Sequence, residues 1–289
     1  MSKYKYNKDY FSIIDTEEKA YWLGFLYADG CITRFYKNEK LRSMSLELGL
    51  CEKDIGHLEK FLKCLDSNVP IQHRTTKIKD KEYGSCRVVI NYTKLCYDLI
   101  DLGCTPKKTY TLKFPTYDQV PKKFMRDFLR GFFDGDGCIS ITTCNNKPHI
   151  VIIITGMSDM LKSISDFLIS EKVIRVEPSL VKDERSKVYS LRLHGTDMIK
   201  DFLDYLYKDS CIYLDRKYQA YIDFYKDHKP IDKYGVCYSK RNKAYISSIY
   251  INGTRIRIGQ YKNLEDAINA RKEAEIEKMN ILKNSPLNQ

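Results

Sequence analysis

Two aspartates carry the first chemical signal. Asp29 lies in the segment WLGFLYADGCI, Trp22 to Ile32, and Asp136 in LRGFFDGDGCI, Leu129 to Ile139, 107 residues further along. Six positions are identical in register: Gly24/Gly131, Phe25/Phe132, Asp29/Asp136, Gly30/Gly137, Cys31/Cys138 and Ile32/Ile139. A duplication that repeats one acid predicts two carboxylates meeting across a pseudo-two-fold axis. Paired carboxylates suit a divalent cation that activates water and neutralises charge on a phosphoryl group. Hard oxygen ligands of this kind point to Mg²⁺.

A single Asp-Gly is an ordinary way to end a helix in a tight turn. Turn chemistry, however, does not require small residues one turn earlier, and both copies have them. Gly24 and Ala28 share a helix face, as do Gly131 and Gly135. Small residues at that spacing let two backbones approach closely. The two motif helices are therefore expected to pack through Gly24 and Gly131, with Asp29 and Asp136 at their last turns. A carboxylate there opposes the helix dipole, at roughly 0.3 to 1 kcal/mol. A bound cation would remove that cost.

The elements that position these acids are read from periodicity. A helix from about Thr16 to Ala28, with Thr16 as N-cap and Gly30 as stop, is followed by a strand over Ser43 to Leu50, where Met44, Leu46, Leu48 and Leu50 alternate with smaller or polar residues. Asp54 is expected to cap a helix running to Leu65. Strands over Ile71–Ile78 and Cys86–Asn91 and a helix from Thr93 to Gly103 complete the first unit. The second repeats the order: helix Lys122–Asp134, strands Cys138–Cys144 and His149–Thr155, helix Ser158–Ser170, strands near Arg175–Lys182 and Lys187–His194, and helix Thr196–Tyr207. A closing helix spans Leu214–Lys226. The class is α+β, with two αββαββα repeats over 1–120 and 121–228.

A linker is expected at His228-Lys229-Pro230. Beyond it, at 233–282, three short strands (Gly235–Ser239, Tyr245–Ile251, Thr254–Gly259) and a helix (Leu264–Asn280) predict a small sheet covered by one helix, with Asn252-Gly253 as the hairpin turn.

With 289 residues, 43% of them hydrophobic, the chain buries an ordinary core and exceeds one typical domain. A net charge of +11 favours a polyanionic partner, and 12 basic against 6 acidic residues from Lys229 onward place +6 of it in the last 61 residues. The charged N-terminus lacks the apolar stretch of a signal peptide, and the longest apolar run, Ile150–Ile154, is far too short to span a membrane. An intracellular protein without membrane contact is expected. None of the ten cysteines forms a CxxC pair and the five histidines are scattered. They read as reduced, mostly buried thiols rather than a zinc site.

WLGFLYADG and LRGFFDGDG align with the nine positions of the signature motif of LAGLIDADG homing endonucleases, and the chain resembles the single-chain, two-motif form of that family. The resemblance extends through the αββαββα order to about residue 228. It implies two antiparallel sheets forming a saddle over double-stranded DNA, and metal-dependent hydrolysis of both strands by a monomer. Asp29 and Asp136 take the place of the metal-binding acids, with the backbone carbonyls of Ala28 and Gly135 as further metal contacts. The sixth motif position differs, Tyr27 against Asp134, which implies asymmetric packing without loss of activity. The family also contains members that have lost cleavage, so an intron RNA maturase or a non-cleaving DNA-binding regulator is the alternative.

The same resemblance places one lysine per repeat beside the acids: Lys108 in GCTPKKT and Lys217 in YLDRKY. A lysine there would stabilise transition-state charge or polarise water. Readout would fall to the solvated strand faces: Arg192 and His194 on the last strand of the second repeat, Arg87 on the corresponding strand of the first, and Arg34, Arg74 and Arg175 on faces the pattern leaves ambiguous. The C-terminal segment from Tyr234 to about Met279 resembles the ethylene-response-factor type of DNA-binding domain. Arg255, Arg257, Tyr250 and Ser248 would form its DNA face, with Ile256 and Ile258 toward the helix. Cys237 and Ser239 stand where that family usually has arginines, a loss that Arg241 partly offsets.

Overall fold

The computed structural model describes residues 4–78, 81–144, 147–184, 186–227, 236–239, 241–251 and 254–283. The expected linker at His228–Pro230 and the turn at Asn252-Gly253 lie outside them. By contacts the chain forms two units, Met1–Tyr221 and Ile222–Gln289.

The first unit repeats one order twice. α1 (Glu17–Asp29), β1 (Gly30–Lys37), β2 (Lys40–Cys51), α2 (Ile55–Cys64), β3 (Gln72–Ile78), β4 (Lys81–Ile90) and α3 (Thr93–Asp101) are matched by α4 (Met125–Asp136), β5 (Gly137–Cys144), β6 (Lys147–Gly156), α5 (Ser158–Ser170), β7 (Ser179–Lys182), β8 (Tyr189–Leu193) and α6 (Thr196–Tyr207). α7 (Asp215–Asp227) follows. Each repeat builds an antiparallel four-stranded sheet, ordered β1-β2-β4-β3 and β5-β6-β8-β7. The protein is thus α+β.

Alternation in the strands decides which sheet face is dry. Met44, Leu46 and Leu48 of β2 are buried together with Val88 and Ile90 of β4, and Ile152, Ile154, Leu191 and Leu193 do the same in the second sheet. α1 and α4 lie against each other at the centre. Their apolar residues, among them Trp22, Phe25, Phe128, Phe132 and Phe133, are almost completely buried.

Several local expectations change. β4 begins at Lys81, five residues before the expected start, whereas β7 covers only the end of its expected range. Asp54 makes no capping bond; its carboxylate instead accepts from Arg216 Nε at 3.0 Å. Thr16 does cap α1, accepting from the Lys19 N–H. Gly30 ends α1 in extended rather than left-handed backbone, with φ −71°. Glycine is needed there for space, since a Cβ would lie 2.6 Å from the Leu26 carbonyl oxygen. The nine described cysteines form no disulfide and are not mostly buried: Cys31, Cys51, Cys138 and Cys211 are exposed and Cys64 and Cys237 half-buried, while Cys86, Cys96 and Cys104 are buried. Cys31 and Cys138 are each the second residue of the strand that follows the motif, on its exposed face.

The second unit contains a three-stranded antiparallel sheet, β11 (Thr254–Tyr261), β10 (Ala244–Ile251) and β9 (Val236–Ser239), packed against α8 (Leu264–Lys283). Val236, Ala244, Ile249 and Ala267 are buried. The β10–β11 ladder shifts between Ser247 and Ser248, which pair with Gly259 and Arg257 and leave Ile258 as the extra residue of a bulge.

Candidate active site and nucleic-acid interface

The centre of the first unit is set by two glycines. A Cβ on Gly24 would lie 2.0 Å from the Phe128 carbonyl oxygen, and one on Gly131 would lie 1.9 Å from the Tyr21 carbonyl oxygen. The two contacts are reciprocal, since 24 and 131 are separated by the same interval as 21 and 128. One turn later a Cβ on Gly135 would meet the Ala28 Cβ at 2.2 Å. Backbones this close leave Asp29 and Asp136, the last residues of α1 and α4, on either side of the pseudo-two-fold axis.

Lys108 and Lys217 reach those helix ends. Lys108 Nζ donates to the carbonyls of Ala28, at 3.1 Å, and Gly30, which flank Asp29. Lys217 Nζ donates to Phe133 and Gly137 at 2.5 Å each and to Gly135 at 3.5 Å, so it brackets Asp136 in the same way. Helix-terminal carbonyls have no partner within their helix, and a cation beside them offsets the dipole. The lysines thus already relieve the cost of placing a carboxylate there, so the dipole does not by itself require a metal.

The electrostatics cross between the repeats. Burial raises the pKa of Asp29, and the cation acting on it most strongly is Lys217 of the other repeat. Burial and then the charge of Asp29 push Asp136 up to about 6, with Lys108 the strongest opposing cation. Burial lowers Lys217 to about 8. Asp136 opens into a pocket of ≈ 230 Å³ with Ala28 and Lys108, and Asp29 into a larger one of ≈ 640 Å³ with Gly135 and Arg216. Each half-site therefore takes residues from both repeats.

The donor set fits a hard divalent cation that keeps part of its shell from elsewhere. Two carboxylates, one of which feels the charge of the other, stand with the Ala28 and Gly135 carbonyls. Among the described residues no group of three or more His, Cys, Asp or Glu is placed to hold a metal. Phosphate oxygens and water would complete the shell, as is usual for Mg²⁺.

Asp134, at the motif position where the repeats differ, is fully buried. Its carboxylate accepts from Tyr21 Oη at 2.7 Å, Tyr207 Oη at 2.6 Å and the Leu214 N–H at 2.8 Å. It ties α1, α6 and the start of α7 together, three residues before Lys217. Among the described residues the Tyr27 hydroxyl makes one hydrogen bond, to the Leu102 carbonyl at 2.5 Å. The motif alone does not reveal these partners of Asp134, although a carboxylate inside an apolar helix must find partners.

On the outer face of the first sheet, Arg87 donates to Glu47 at 2.9 Å and to Gln72 at 3.0 Å. Arg74 pairs with Ser85, two residues from Arg87, and so shares that face. Both arginines line the Asp29 pocket. Arg34 does not join them: it pairs with the fully buried Met44, which puts it on the helix-side face at the sheet edge. Arg192 alternates with the buried Leu191 and Leu193 and so faces outward, His194 is exposed just past β8, and Arg175 lies exposed before β7. In the second unit Arg241 and Arg257 are exposed, and Arg257 donates to Gln260 at 2.6 Å. Tyr250 pairs with Arg255 in the ladder, but their side chains lie outside the described residues. Ser248 is only 4% exposed and Ile256 is 44% exposed, the reverse of the expectation, next to the bulge that interrupts the alternation.

Comparison with solved structures finds the same arrangement of elements. A lysine-to-alanine variant of I-SmaMI superposes with a TM-score of 0.50 at 15% identity, covering 72% of this chain and 89% of that one. I-SmaMI is described as a LAGLIDADG homing endonuclease. The chain shares that fold. I-GzeII, a LAGLIDADG homing endonuclease in complex with its DNA target, gives a TM-score of 0.49 at 13% identity over 73% of this chain and 89% of that one. In sequence, the chain is 24% identical over 187 residues to a probable translation initiation factor IF-2 of Methanocaldococcus jannaschii, covering 63% of this chain and 14% of that protein's length. No family model matches. The LAGLIDADG fold accounts for the repeats and the central helix pair; the site residues stand on the geometry above.

Proposed function

We propose that the chain is a site-specific DNA endonuclease that hydrolyses both strands of a duplex with a divalent metal. The observation that carries this is the reciprocal placement of Asp29 and Asp136 at the ends of the two helices in central contact, with Lys108 and Lys217 bound to the carbonyls that flank them. The LAGLIDADG fold supports it. Two equivalent half-sites about one axis match two phosphodiesters on antiparallel strands.

A divalent cation held by Asp29, Asp136 and the Ala28 and Gly135 carbonyls would supply charge to the phosphate and lower the pKa of a bound water. The chain's own groups do the rest. Lys108 and Lys217, fixed by carbonyls, present ammonium groups to developing phosphate charge without reorganising. Lys217, with its pKa near 8, also exchanges a proton readily close to neutral pH. Arg74, Arg87 and Arg192 would contact the duplex, Arg87 being held ready by Glu47 and Gln72. We assign the sheet of the second unit to a further DNA contact through Arg241, Arg255 and Arg257, on its resemblance to ethylene-response-factor domains and its basic excess.

The test is incubation of the purified chain with a randomised duplex library, with and without Mg²⁺, and sequencing of the cut ends. Recurrent double-strand cuts that require Mg²⁺, vanish in Asp29→Asn or Asp136→Asn, and leave binding intact are expected. Duplex or RNA binding with no cleavage under any divalent cation would overturn the nuclease reading and favour a maturase or regulator.

A further inference from the structure

The two half-sites are not equal, and the difference lies in a residue next to Lys217. Arg216 lines the Asp29 pocket. Its Nε donates to Asp54 at 3.0 Å, and Asp54 is itself 9% exposed while the arginine side chain is 47% exposed. Among the described residues Arg216 makes no other hydrogen bond, so Nη1 and Nη2 stand free in a pocket that also contains Asp29. A guanidinium anchored through Nε and open at its Nη pair has the geometry that grips phosphate oxygens in parallel.

Among the described residues the other half-site shows no equivalent. The residue preceding Lys108 is Lys107, whose backbone is left-handed, with φ 56°. It lines a separate pocket with Cys31, Arg34 and Tyr36. Where the turn after β2 supplies Asp54, the turn after β6 supplies Met157, and the pocket around Asp136 contains Lys108 but no arginine and no second carboxylate.

We propose that Arg216, anchored by Asp54, binds the phosphate of the strand cut at the Asp29 half-site only, so that this strand is hydrolysed first. The inference rests on the nuclease reading above and adds an order to its two cuts. The guanidinium would be in place before DNA arrives, because Asp54 rather than the phosphate orders it.

The experiment uses the full chain and a duplex recovered from the library, labelled on either strand in turn, under single-turnover conditions. The unaltered chain is expected to cut one strand faster. Arg216→Gln is expected to slow that strand by about 10- to 100-fold, a loss within or below that of removing a preorganised charge donor. The slower strand is expected to change less than about threefold, a margin small against that loss. Asp54→Asn is expected to slow the same strand by a smaller factor. In the absence of divalent metal, Arg216→Gln is expected to lower the slope of log K against log salt by about 0.9, the value for one phosphate contact.

Lys60→Met controls for simple loosening of α7, since Lys60 holds the same segment through Asp215 at 2.5 Å and the Tyr213 carbonyl at 3.2 Å. It is expected to leave the strand difference in place. Equal slowing of both strands by Arg216→Gln, an unchanged salt slope, or the same strand-selective loss in Lys60→Met would overturn the proposal while leaving the nuclease reading intact. Absence of cleavage by the unaltered chain would overturn both.

Discussion

Asp136 and Lys217, pushed to about 6 and about 8 by burial, change charge on either side of neutral pH. Burial and the charge of Asp29 push Asp136 from its usual 3.8 up to about 6. Below pH 4 folded and unfolded chains both keep that proton, so no penalty arises. Between about 4 and 6 only the fold keeps it, and above 6 the fold carries the full cost of a buried charge, about 1 to 3 kcal/mol for a shift of this size. Asp136→Asn is therefore expected to raise the thermal midpoint at pH 7.5 without divalent metal and to give little gain at pH 4. A variant that is less stable at both pH values would show that the carboxylate is not strained. Lys217 behaves oppositely: its ammonium is present below about 8 and lost above. Cleavage that uses this charge should fall as pH passes 8, and Lys217→Arg, which cannot lose its charge in that range, should carry the alkaline limb upward even if its rate is lower. An unmoved limb would assign that titration to another group.

At the scale of elements, the helix pair is where sequence and structure correspond most directly. Glycine at 24 and 131 leaves no alternative to close contact, because a Cβ at either would press on backbone carbonyl oxygen at 2.0 or 1.9 Å, and backbone cannot turn aside as a side chain can. Gly24→Ala or Gly131→Ala is expected to cost about 3 kcal/mol or more, the upper range for overpacking, readable as a lowered denaturation midpoint. A near-neutral effect would mean that the helices slide apart at little cost. Motif spacing made this contact legible, and strand alternation made the dry face of β2 and β8 legible. Other features depend on partners remote in sequence. Asp54 has the right type and place for an N-cap, yet Arg216, 162 residues away, takes its carboxylate. Asp134 collects donors from α1, α6 and the start of α7 that no local pattern could bring together. Arg34 and Arg74 are indistinguishable by sequence pattern, and only the β1–β2 register sets Arg34 opposite buried Met44. The bulge at Ser247/Ser248 likewise defeats a reading based on strict alternation.

For the whole molecule, charge and cores divide in different ways. The apolar residues of the LAGLIDADG fold close around α1 and α4, while the last 61 residues carry more than half of the net +11, and the described residues among them form a sheet-helix layer with its own buried Val236, Ile249 and Ala267. Under the proposed function, a basic excess in a unit that contains neither the acids nor the lysines of the candidate site suits a second grip on the duplex, which would add affinity through tethering. Removing one cation from a backbone phosphate lowers the slope of log K against log salt by about 0.9. Replacing exposed Arg241 and Arg257 by glutamine in the full chain is therefore expected to reduce the slope by about 1 to 2 on a long duplex. Removing residues after Lys229 should reduce it further. The single-turnover cutting rate at saturating protein should stay within about threefold, since neither change touches the acids or lysines and weakening ground and transition states equally leaves that rate intact. An unchanged slope in both variants would take the second unit out of DNA binding. A collapse of the cutting rate at saturation would mean instead that the unit acts in placing the duplex over the acids, a role its basic charge alone does not explain.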